Sequence, residues 1–311
     1  MINILSCETP GNGGGIYGCD LGPDGSLSVR VYYPCDRPMY AARRGRELCV
    51  LLRSPFPGSD EGGYFFIGEE LSGAGAVRGT GGRVPCHLAL SGDDVFAVNY
   101  LSGNLVKNGE TAVERTGCGP NASRQSSPHT HFVGKTPDGY LAVCDLGCDE
   151  LAIYDTELRQ TGSAQVPPGN GIRHIVFSRV GDRIYAINEL IPSVSVFGYS
   201  DGTVSYKLTV PIECKAPRAN GAAIRLSEGG GLLYVSLREE NAICVFEADG
   251  ERLNLLQKTS CRGESPRDFG LFGEFLVCCN EKSGVSVLRL KDGLIIGEAG
   301  FLKIPATLCV L

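Results

Sequence analysis

The sequence repeats one pattern of strands and turns along its length, and this repetition restricts the chain to few architectures. The clearest copy is residues 128–154, PHTHFVGKTPDGYLAVCDLGCDELAIY. A Pro-Asp-Gly turn there separates two runs in which apolar and polar residues alternate, as they do in neighbouring antiparallel strands. Gly139 relieves the positive φ that a tight hairpin turn requires. Further copies begin at Val84, Gly171, Asn220 and Ser265.

The spacing of the copies predicts a β-propeller. The residue pairs that end the second strand of each copy lie 43 to 49 residues apart, at Leu52-Arg53, Asn99-Tyr100, Asp145-Leu146, Asn188-Glu189, Leu237-Arg238 and Asn280-Glu281. Periods in the forties with about four short strands per unit are typical of propeller blades, whereas helical solenoids show an amphipathic three-to-four spacing. The sequence contains no tryptophan, so the Trp-Asp signature of WD40 repeats is absent.

The number of first strands predicts seven blades. Six of them begin near Pro38, Pro85, Pro128, Gly171, Gly221 and Pro266, and a seventh opens at Pro305 just before the chain stops. Strands predicted at residues 2–7, 15–19 and 27–33 supply the partners that this last strand lacks. We therefore predict an all-β fold, a seven-bladed β-propeller in which residues 1–311 form a single domain. The ring is closed by C-terminal strand pairing with the N-terminal strands, which leaves no open edge.

The composition of the chain limits the kinds of partner it can bind and indicates its cell compartment. The formal net charge of −6 argues against binding nucleic acid or an anionic membrane through overall charge. No apolar run approaches the length of about 18 residues that spans a membrane, and the N-terminus lacks the pattern of a signal peptide. The 14 cysteines form no paired CxxC motif of the zinc-site type, and five of them lie inside apolar strand runs. We expect a cytoplasmic protein with reduced thiols, no cofactor and no metal.

Charged residues recur at one end of the predicted channel. Because neighbouring strands are antiparallel, the starts of first strands and the ends of second strands lie at the same end of each blade. The first-strand starts carry His87, His129, His131, Arg173, His174 and Arg267, and the second-strand ends carry Arg53, Glu189, Arg238 and Glu281, with Glu8 in the blade shared by the termini. Arginine presents a planar fork of donors to a carboxylate or phosphate, and glutamate and histidine transfer protons. This set predicts a site for an anionic small molecule.

These residues also have structural interpretations. His129 and His131 lie two apart on a predicted strand and share a face, so they could form half of a metal site or hydrogen-bond between blades. Glu189, Arg238 and Glu281 could pair as a structural ring of charges. Both interpretations stay open at the level of the sequence.

Four segments, spread in order over residues 84–290, resemble the lactonase family typified by the propeller-type bacterial 6-phosphogluconolactonase. PHTH…PDG…DLGCDELAIY resembles that family's PHxH…PDG…DLGxDxxxxY, and GNGIRH…NELIPSVSVF resembles its GxGPRH…NELxSxVxVF. LLYVSLREENAICVF is similar to LYVSNRxxxxIxVF, and the segment that begins SPRDF is similar to the family's PRxF segment. Ile172 replaces the usual proline and Leu237 the usual asparagine, and neither change removes a candidate functional side chain.

The resemblance implies a seven-bladed fold, lactone chemistry and a set of site residues. The family includes fungal carboxymuconate-cyclising enzymes, in which a histidine, a glutamate and arginines at the channel mouth are proposed to act on a lactone. Matching motifs give these catalytic roles to His131, Glu189, Arg173 and Arg238, and leave His129, His174, Arg267 and Glu281 as substrate-binding candidates. The implied reaction is hydrolysis of a sugar-acid lactone, with 6-phosphoglucono-δ-lactone of the pentose phosphate route as the leading substrate. Either Glu189 or His131 would be the general base, and the arginines would stabilise the oxyanion.

Other functions remain open. A propeller can be a non-catalytic module that binds a protein or an anionic ligand, and the family also contains lactone-forming cycloisomerases. A metal-dependent lactonase would need convergent oxygen ligands, for which only Glu8, Glu189 and Glu281 are obvious candidates. The glycine-rich stretch 54–80 is thin in β-forming residues. If it lacks an outer strand, a second subunit of a homodimer would cover the exposed edge.

Overall fold

The computed structural model describes residues 1–311 and consists almost entirely of β-strands, which form seven four-stranded antiparallel sheets. Blade 1 contains β1 (Ile2–Ser6), β2 (Gly15–Leu21), β3 (Leu27–Pro34) and, from the C-terminus, β28 (Thr307–Val310). Blade 2 contains β4 (Pro38–Arg44), β5 (Glu47–Leu52), β6 (Glu61–Gly68) and β7 (Arg78–Arg83). Blade 3 contains β8 (Pro85–Ser91), β9 (Asp94–Asn99), β10 (Asn104–Lys107) and β11 (Thr111–Glu114).

The other four blades follow in chain order. Blade 4 contains β12 (Thr130–Lys135), β13 (Leu141–Asp145), β14 (Glu150–Tyr154) and β15 (Gln160–Gln165). Blade 5 contains β16 (Ile172–Phe177), β17 (Arg183–Asn188), β18 (Ser193–Ser200) and β19 (Thr203–Pro211). Blade 6 contains β20 (Gly221–Leu226), β21 (Leu232–Leu237), β22 (Ala242–Asp249) and β23 (Arg252–Ser260), and blade 7 contains β24 (Pro266–Phe272), β25 (Phe275–Asn280), β26 (Gly284–Lys291) and β27 (Leu294–Leu302).

The hairpin between β12 and β13 shows how local sequence sets these boundaries. Gly139 has a φ of 97°, which the glycine adopts without the steric penalty of a Cβ atom. The backbone N–H of Thr136 donates to the carbonyl of Tyr140 at 2.8 Å and closes the turn. Its hydroxyl donates to Asp138 Oδ1 at 2.6 Å. The Pro-Asp-Gly signal therefore forms the predicted turn.

Apolar layers between neighbouring blades form the core. The largest cluster joins blades 5 and 6 and includes Tyr185, Val235 and Phe246. Both faces of each sheet are covered in this way: Cys278 packs between blades 6 and 7, and its neighbour Cys279 packs between blades 7 and 1. This two-sided burial explains why the second strands are nearly continuous apolar runs.

The ring closes through the two chain ends. β28 pairs antiparallel with β1, and the backbone groups of Asn3 and Leu311 exchange hydrogen bonds of 2.9 and 3.0 Å. The first strand of each blade contacts the first strand of the next, so the seven strands surround a central channel. The predicted seven-bladed fold and its closure are confirmed.

Blade 2 has its outer strand. β7 pairs with β6 through Tyr64, Gly63 and Glu61, with one irregularity in register. The condition under which a second subunit was expected to cover this edge is therefore not met. The helical content is one short 3₁₀ turn at Pro10–Asn12. No helix has the length and apolar character needed to cross a membrane.

Candidate active site

In five of the seven blades, a β-bulge near the start of the first strand directs one side chain into the channel. The pairing register skips a single residue at this point, which is Met39, Cys86, His131, Arg173 or Arg267. A bulged residue opposes no partner of its own, so its side chain is turned away from the regular alternation. All five residues line one small cavity of about 20 Å³ in the channel. That volume accommodates a single water molecule.

Glu189 contacts Arg173 of this cavity and lies directly after β17, where its backbone N–H donates to the carbonyl of Gly171 at 2.7 Å. Its carboxylate forms ion pairs with three arginines, two of which also donate hydrogen bonds to it. Arg173 Nε donates to Oε2 at 2.9 Å, and Oε1 is 3.0 Å from Arg238 Nη2 and 2.5 Å from Arg124 Nη2. The three arginines come from blade 5, from blade 6 and from the connection between blades 3 and 4, so these three parts of the chain meet at one buried carboxylate.

The arginines determine the charge state of this cluster. Burial opposes ionisation of Glu189, but Arg238 and Arg173 outweigh it and hold the pKa of the carboxyl well below its usual range. Burial also lowers the pKa of Arg173 to about 9, with Arg267 adding repulsion and Glu189 acting in the opposite direction. Both groups therefore stay charged at neutral pH. An ionised carboxylate of such low pKa is a weak base.

His131 borders the same cavity and is 4% exposed. Burial, followed by the nearby charge of Arg173, lowers the pKa of His131 well below its ordinary value, while Glu189 raises it. The ring contacts the rings of Tyr100 and His174 at centroid distances of 5.7 and 5.2 Å. Its Nδ1 is buried without a hydrogen-bond partner. His131 is thus a neutral imidazole at neutral pH.

The other two histidines proposed as site residues, His129 and His174, have different surroundings. His129 precedes β12, stacks on Tyr100 at 4.4 Å and hydrogen-bonds the Tyr100 carbonyl through Nδ1 at 2.8 Å. His174 lines the cavity and packs against His87 and Phe132. The bulge thus directs His131 into the cavity, which His129 does not line. No three His, Cys, Asp or Glu side chains are grouped so that they could hold a metal ion.

Arg267 and Glu281 form a separate pair on blade 7. Arg267 Nη1 lies 3.6 Å from Glu281 Oε2, and Arg267 lines the cavity whereas Glu281 does not. Glu281 therefore pairs with Arg267, and Arg238 pairs with Glu189. The ring of Glu189, Arg238 and Glu281 considered above is not formed, because its members belong to two groups.

Arg124 and Tyr100 are the site residues that the sequence analysis missed. Arg124 lies in the connection 115–129, the longest between two blades. The next residue, Gln125, is fully buried and donates to the carbonyl of Leu146 at 2.9 Å, so the connection is fixed against blade 4. Arg124 also donates to the Tyr100 hydroxyl at 3.4 Å. The length of the connection was the available signal, because long connections in compact domains are often functional.

A groove of about 630 Å³ opens beside Glu189. Three connections line it through Asn121, Ser123, Arg124, Leu190, Ile191, Pro192, Cys214, Ala216, Pro217, Arg218, Ala219 and Asn220. The groove adjoins the carboxylate cluster because Arg124 belongs to both and because Arg238 N–H donates to the carbonyl of Asn220 at 2.9 Å.

Comparison with known proteins agrees with this architecture. The family described as "Lactonase, 7-bladed beta-propeller" matches residues 5–310. The chain is 31% identical over 259 residues to the 6-phosphogluconolactonase of Bacillus subtilis, an alignment that covers 74% of this chain and 73% of that protein.

Solved structures share the whole fold. A putative 6-phosphogluconolactonase from Bacteroides fragilis superposes with a TM-score of 0.89 at 24% identity, covering 100% of this chain and 97% of that chain. The periplasmic gluconolactonase of Pseudomonas aeruginosa also reaches 0.89, at 22% identity, with coverage of 100% and 99%. The chain belongs to the family of seven-bladed β-propeller lactonases and is an enzyme of lactone hydrolysis.

Proposed function

We propose that this lactonase hydrolyses 6-phosphoglucono-δ-lactone to 6-phosphogluconate, a step of the pentose phosphate pathway. The observation that carries the proposal is the ionised Glu189 held among Arg124, Arg173 and Arg238, next to the neutral His131. One carboxylate against three guanidinium groups leaves surplus positive charge at the channel mouth, which favours an anionic substrate. The similarity to the Bacillus subtilis protein named 6-phosphogluconolactonase supports the same substrate.

His131 acts as the general base in this proposal. Lactone opening begins when water adds to the ring carbonyl, and that water must lose a proton. His131 is uncharged and borders the cavity that accommodates one water molecule. Both oxygens of the Glu189 carboxylate are held by arginines, whereas Nδ1 of His131 has no hydrogen-bond partner. The role of Glu189 is to keep Arg173 and Arg238 oriented.

Arg238 stabilises the charge that develops on the carbonyl oxygen. Its side chain is 11% exposed, whereas that of Arg173 is 3% exposed and is occupied by Glu189 and by the carbonyl of Ala222. A preorganised donor at such an oxyanion contributes up to about 3–4 kcal/mol to the transition state.

Ring opening completes the proton cycle. The bond between the carbonyl carbon and the ring oxygen breaks, and the leaving alkoxide receives the proton that His131 took from water. The added water oxygen remains on the carboxyl group of the product.

The test is a lactone hydrolysis assay on the purified protein, with and without EDTA and with spontaneous opening subtracted. Its substrates are 6-phosphogluconolactone and unphosphorylated lactones, and wild type is compared with Glu189→Ala and Arg173→Ala. We expect hydrolysis above background with preference for the phosphorylated lactone, and loss of most of the rate in both folded variants. Arg252→Ala, an exposed outer-strand substitution, is the matched control. No rate above background on any lactone would refute the proposal.

A further inference from the structure

We propose that Arg124 and Arg218 form a subsite that binds the phosphoryl group of the substrate in the groove beside Glu189. The subsite rests on the proposed function, because the lactone end of the same molecule would lie at Glu189. It identifies the substrate class as a lactone with a phosphoryl group remote from the reacting carbonyl.

The volumes of the two cavities indicate that the substrate occupies the groove. The channel cavity at His131 has a volume of about 20 Å³, which is too small for a sugar ring. The groove has a volume of about 630 Å³, within the range of about 300–1,000 Å³ typical of small-molecule sites. Since Arg124 lines the groove and also contacts Glu189, a ligand can fill the groove and present one end to the cluster.

The groove favours an anion over a neutral group. Its lining contains two arginines and neither aspartate nor glutamate. Arg124 uses only Nη2 for its hydrogen bonds to Glu189 and Tyr100, so that Nε and Nη1 have no protein acceptor. Arg218 is exposed and forms no ion pair. Two guanidinium groups with unused donors match the several acceptor oxygens of a phosphoryl group.

The connection that carries Arg218 is held in place by the carboxylate of Glu240, which forms no ion pair with Arg218. Glu240 accepts hydrogen bonds from the backbone N–H groups of Lys215 and Ala216 at 3.0 and 2.8 Å. Lys258 Nζ lies 2.5 Å from the same carboxylate and balances its charge. Glu240 therefore anchors the loop without neutralising Arg218.

The remaining lining suits a polyhydroxylated chain between the two ends. Asn121, Ser123 and Asn220 supply neutral polar groups for hydroxyl groups, while Leu190 and Pro217 supply apolar surface for the C–H faces. Neutral groups of this kind bind gluconate and 6-phosphogluconate alike. The two arginines are therefore the groups that distinguish 6-phosphogluconate from gluconate.

The test measures binding of the reaction products, so that it does not depend on turnover. Titration calorimetry would compare 6-phosphogluconate with gluconate for wild type, Arg218→Ala, Arg218→Lys and the control Arg252→Ala. We expect tighter binding of 6-phosphogluconate by wild type and a loss of roughly tenfold in Arg218→Ala, the size of one charge-assisted hydrogen bond. Gluconate binding should not change. Arg218→Lys should recover part of the affinity, and Arg252→Ala should match wild type.

Two results would overturn the subsite: equal binding of both compounds by wild type, or an Arg218→Ala variant that keeps the full preference for 6-phosphogluconate. A different result would refute the proposed function without refuting the subsite. Arg218-dependent binding of 6-phosphogluconate by a protein that hydrolyses no lactone would refute the reaction and support the subsite.

Discussion

Two buried arginine–carboxylate groups lie in the same channel and differ in their charge balance. Around Glu189, three arginines share one carboxylate, and the cluster borders an open groove. Around Asp268, a single arginine, Arg225, lies 2.5 Å from Oδ1, and Oδ2 accepts the backbone N–H of Val310 at 3.2 Å. The first group has an excess of positive charge that can bind an anionic ligand. The second is neutral as a pair and binds the strand that closes the ring.

This difference separates a binding site from a structural contact that uses the same residue types. Burial of charge alone identifies neither, because Glu189 and Asp268 are both almost inaccessible. The excess of arginines and the adjoining groove single out Glu189. The hydrogen bond to β28 assigns Asp268 to ring closure, since it joins blade 7 to blade 1.

The largest expected effect is on stability and involves both groups. Glu189→Gln leaves the buried Arg173 without its counter-charge, and Asp268→Asn does the same to Arg225. Removing one partner of a buried pair costs about 3–5 kcal/mol of unfolding free energy, and we expect the smaller loss for Asp268→Asn because Arg225 is 30% exposed. Urea denaturation would measure both losses. At a temperature where both variants are folded, only Glu189→Gln should lower kcat; an equal loss of kcat in Asp268→Asn would remove the distinction.

The next largest effect is on catalysis at His131. His131→Gln keeps the approximate size of the side chain but cannot transfer a proton, so kcat should fall by about 10²-fold or more. His174→Gln is the matched comparison, since His174 lines the same cavity but is not the proposed base. Steady-state kinetics with background subtraction would measure both. Retention of the wild-type kcat by a folded His131→Gln would exclude His131 as the base.

Most of the fold could be predicted from the sequence because strand alternation and turn residues repeat with the blades. The six predicted second-strand ends coincide with the ends of β5, β9, β13, β17, β21 and β25. The convergence of four site residues could be predicted for the same reason. His131 and Arg173 lie near the starts of first strands, and Glu189 and Arg238 directly follow second strands, so that all four lie at the same end of their blades.

Three features of the site could not be predicted, each for a physical reason. Arg124 lies in a connection that has no counterpart in other blades, so the repeat gave no information about its position. The bulge at His131 breaks the period of two on which the shared face with His129 was based. The pairing of Glu281 with Arg267 depends on how two flexible side chains are arranged, which strand spacing does not determine.

A smaller effect is expected for Arg124, which joins the Glu189 cluster to the groove. Arg124→Ala removes one of the three arginines at Glu189 while Arg173 and Arg238 remain. We expect KM for the phosphorylated lactone to rise roughly tenfold, because a donor to the phosphoryl group is lost, whereas kcat should change little. Steady-state kinetics on phosphorylated and unphosphorylated lactones would separate the two. A variant whose kcat and KM equal those of wild type on both lactones would show that Arg124 takes no part.

The smallest effect is the dependence of stability on pH. It tests both arginine groups, because arginines of both groups lower the pKa values of buried histidines. Burial lowers the pKa of His87 to about 3, with Arg225 as the next cause. Burial lowers the pKa of His131 and of His174 well below the ordinary value, and Arg173 is the next cause for both. Histidines in the unfolded chain titrate near pH 6.5. Below that pH the unfolded state therefore takes up protons that the folded state does not, and stability falls as the pH decreases.

Each of these buried histidines should cost about 1 kcal/mol of unfolding free energy between pH 7 and pH 5.5. Urea denaturation at the two pH values would measure the sum, in a range above the titration of ordinary carboxyl groups. His87→Asn should reduce the pH-dependent loss by about one third and leave the proposed base in place, because His87 lies on the side of the channel that Arg225 influences. If His87→Asn leaves the pH dependence of stability unchanged, then His87 is not held neutral in the folded state, and the channel around Arg225 is more hydrated than its burial indicates.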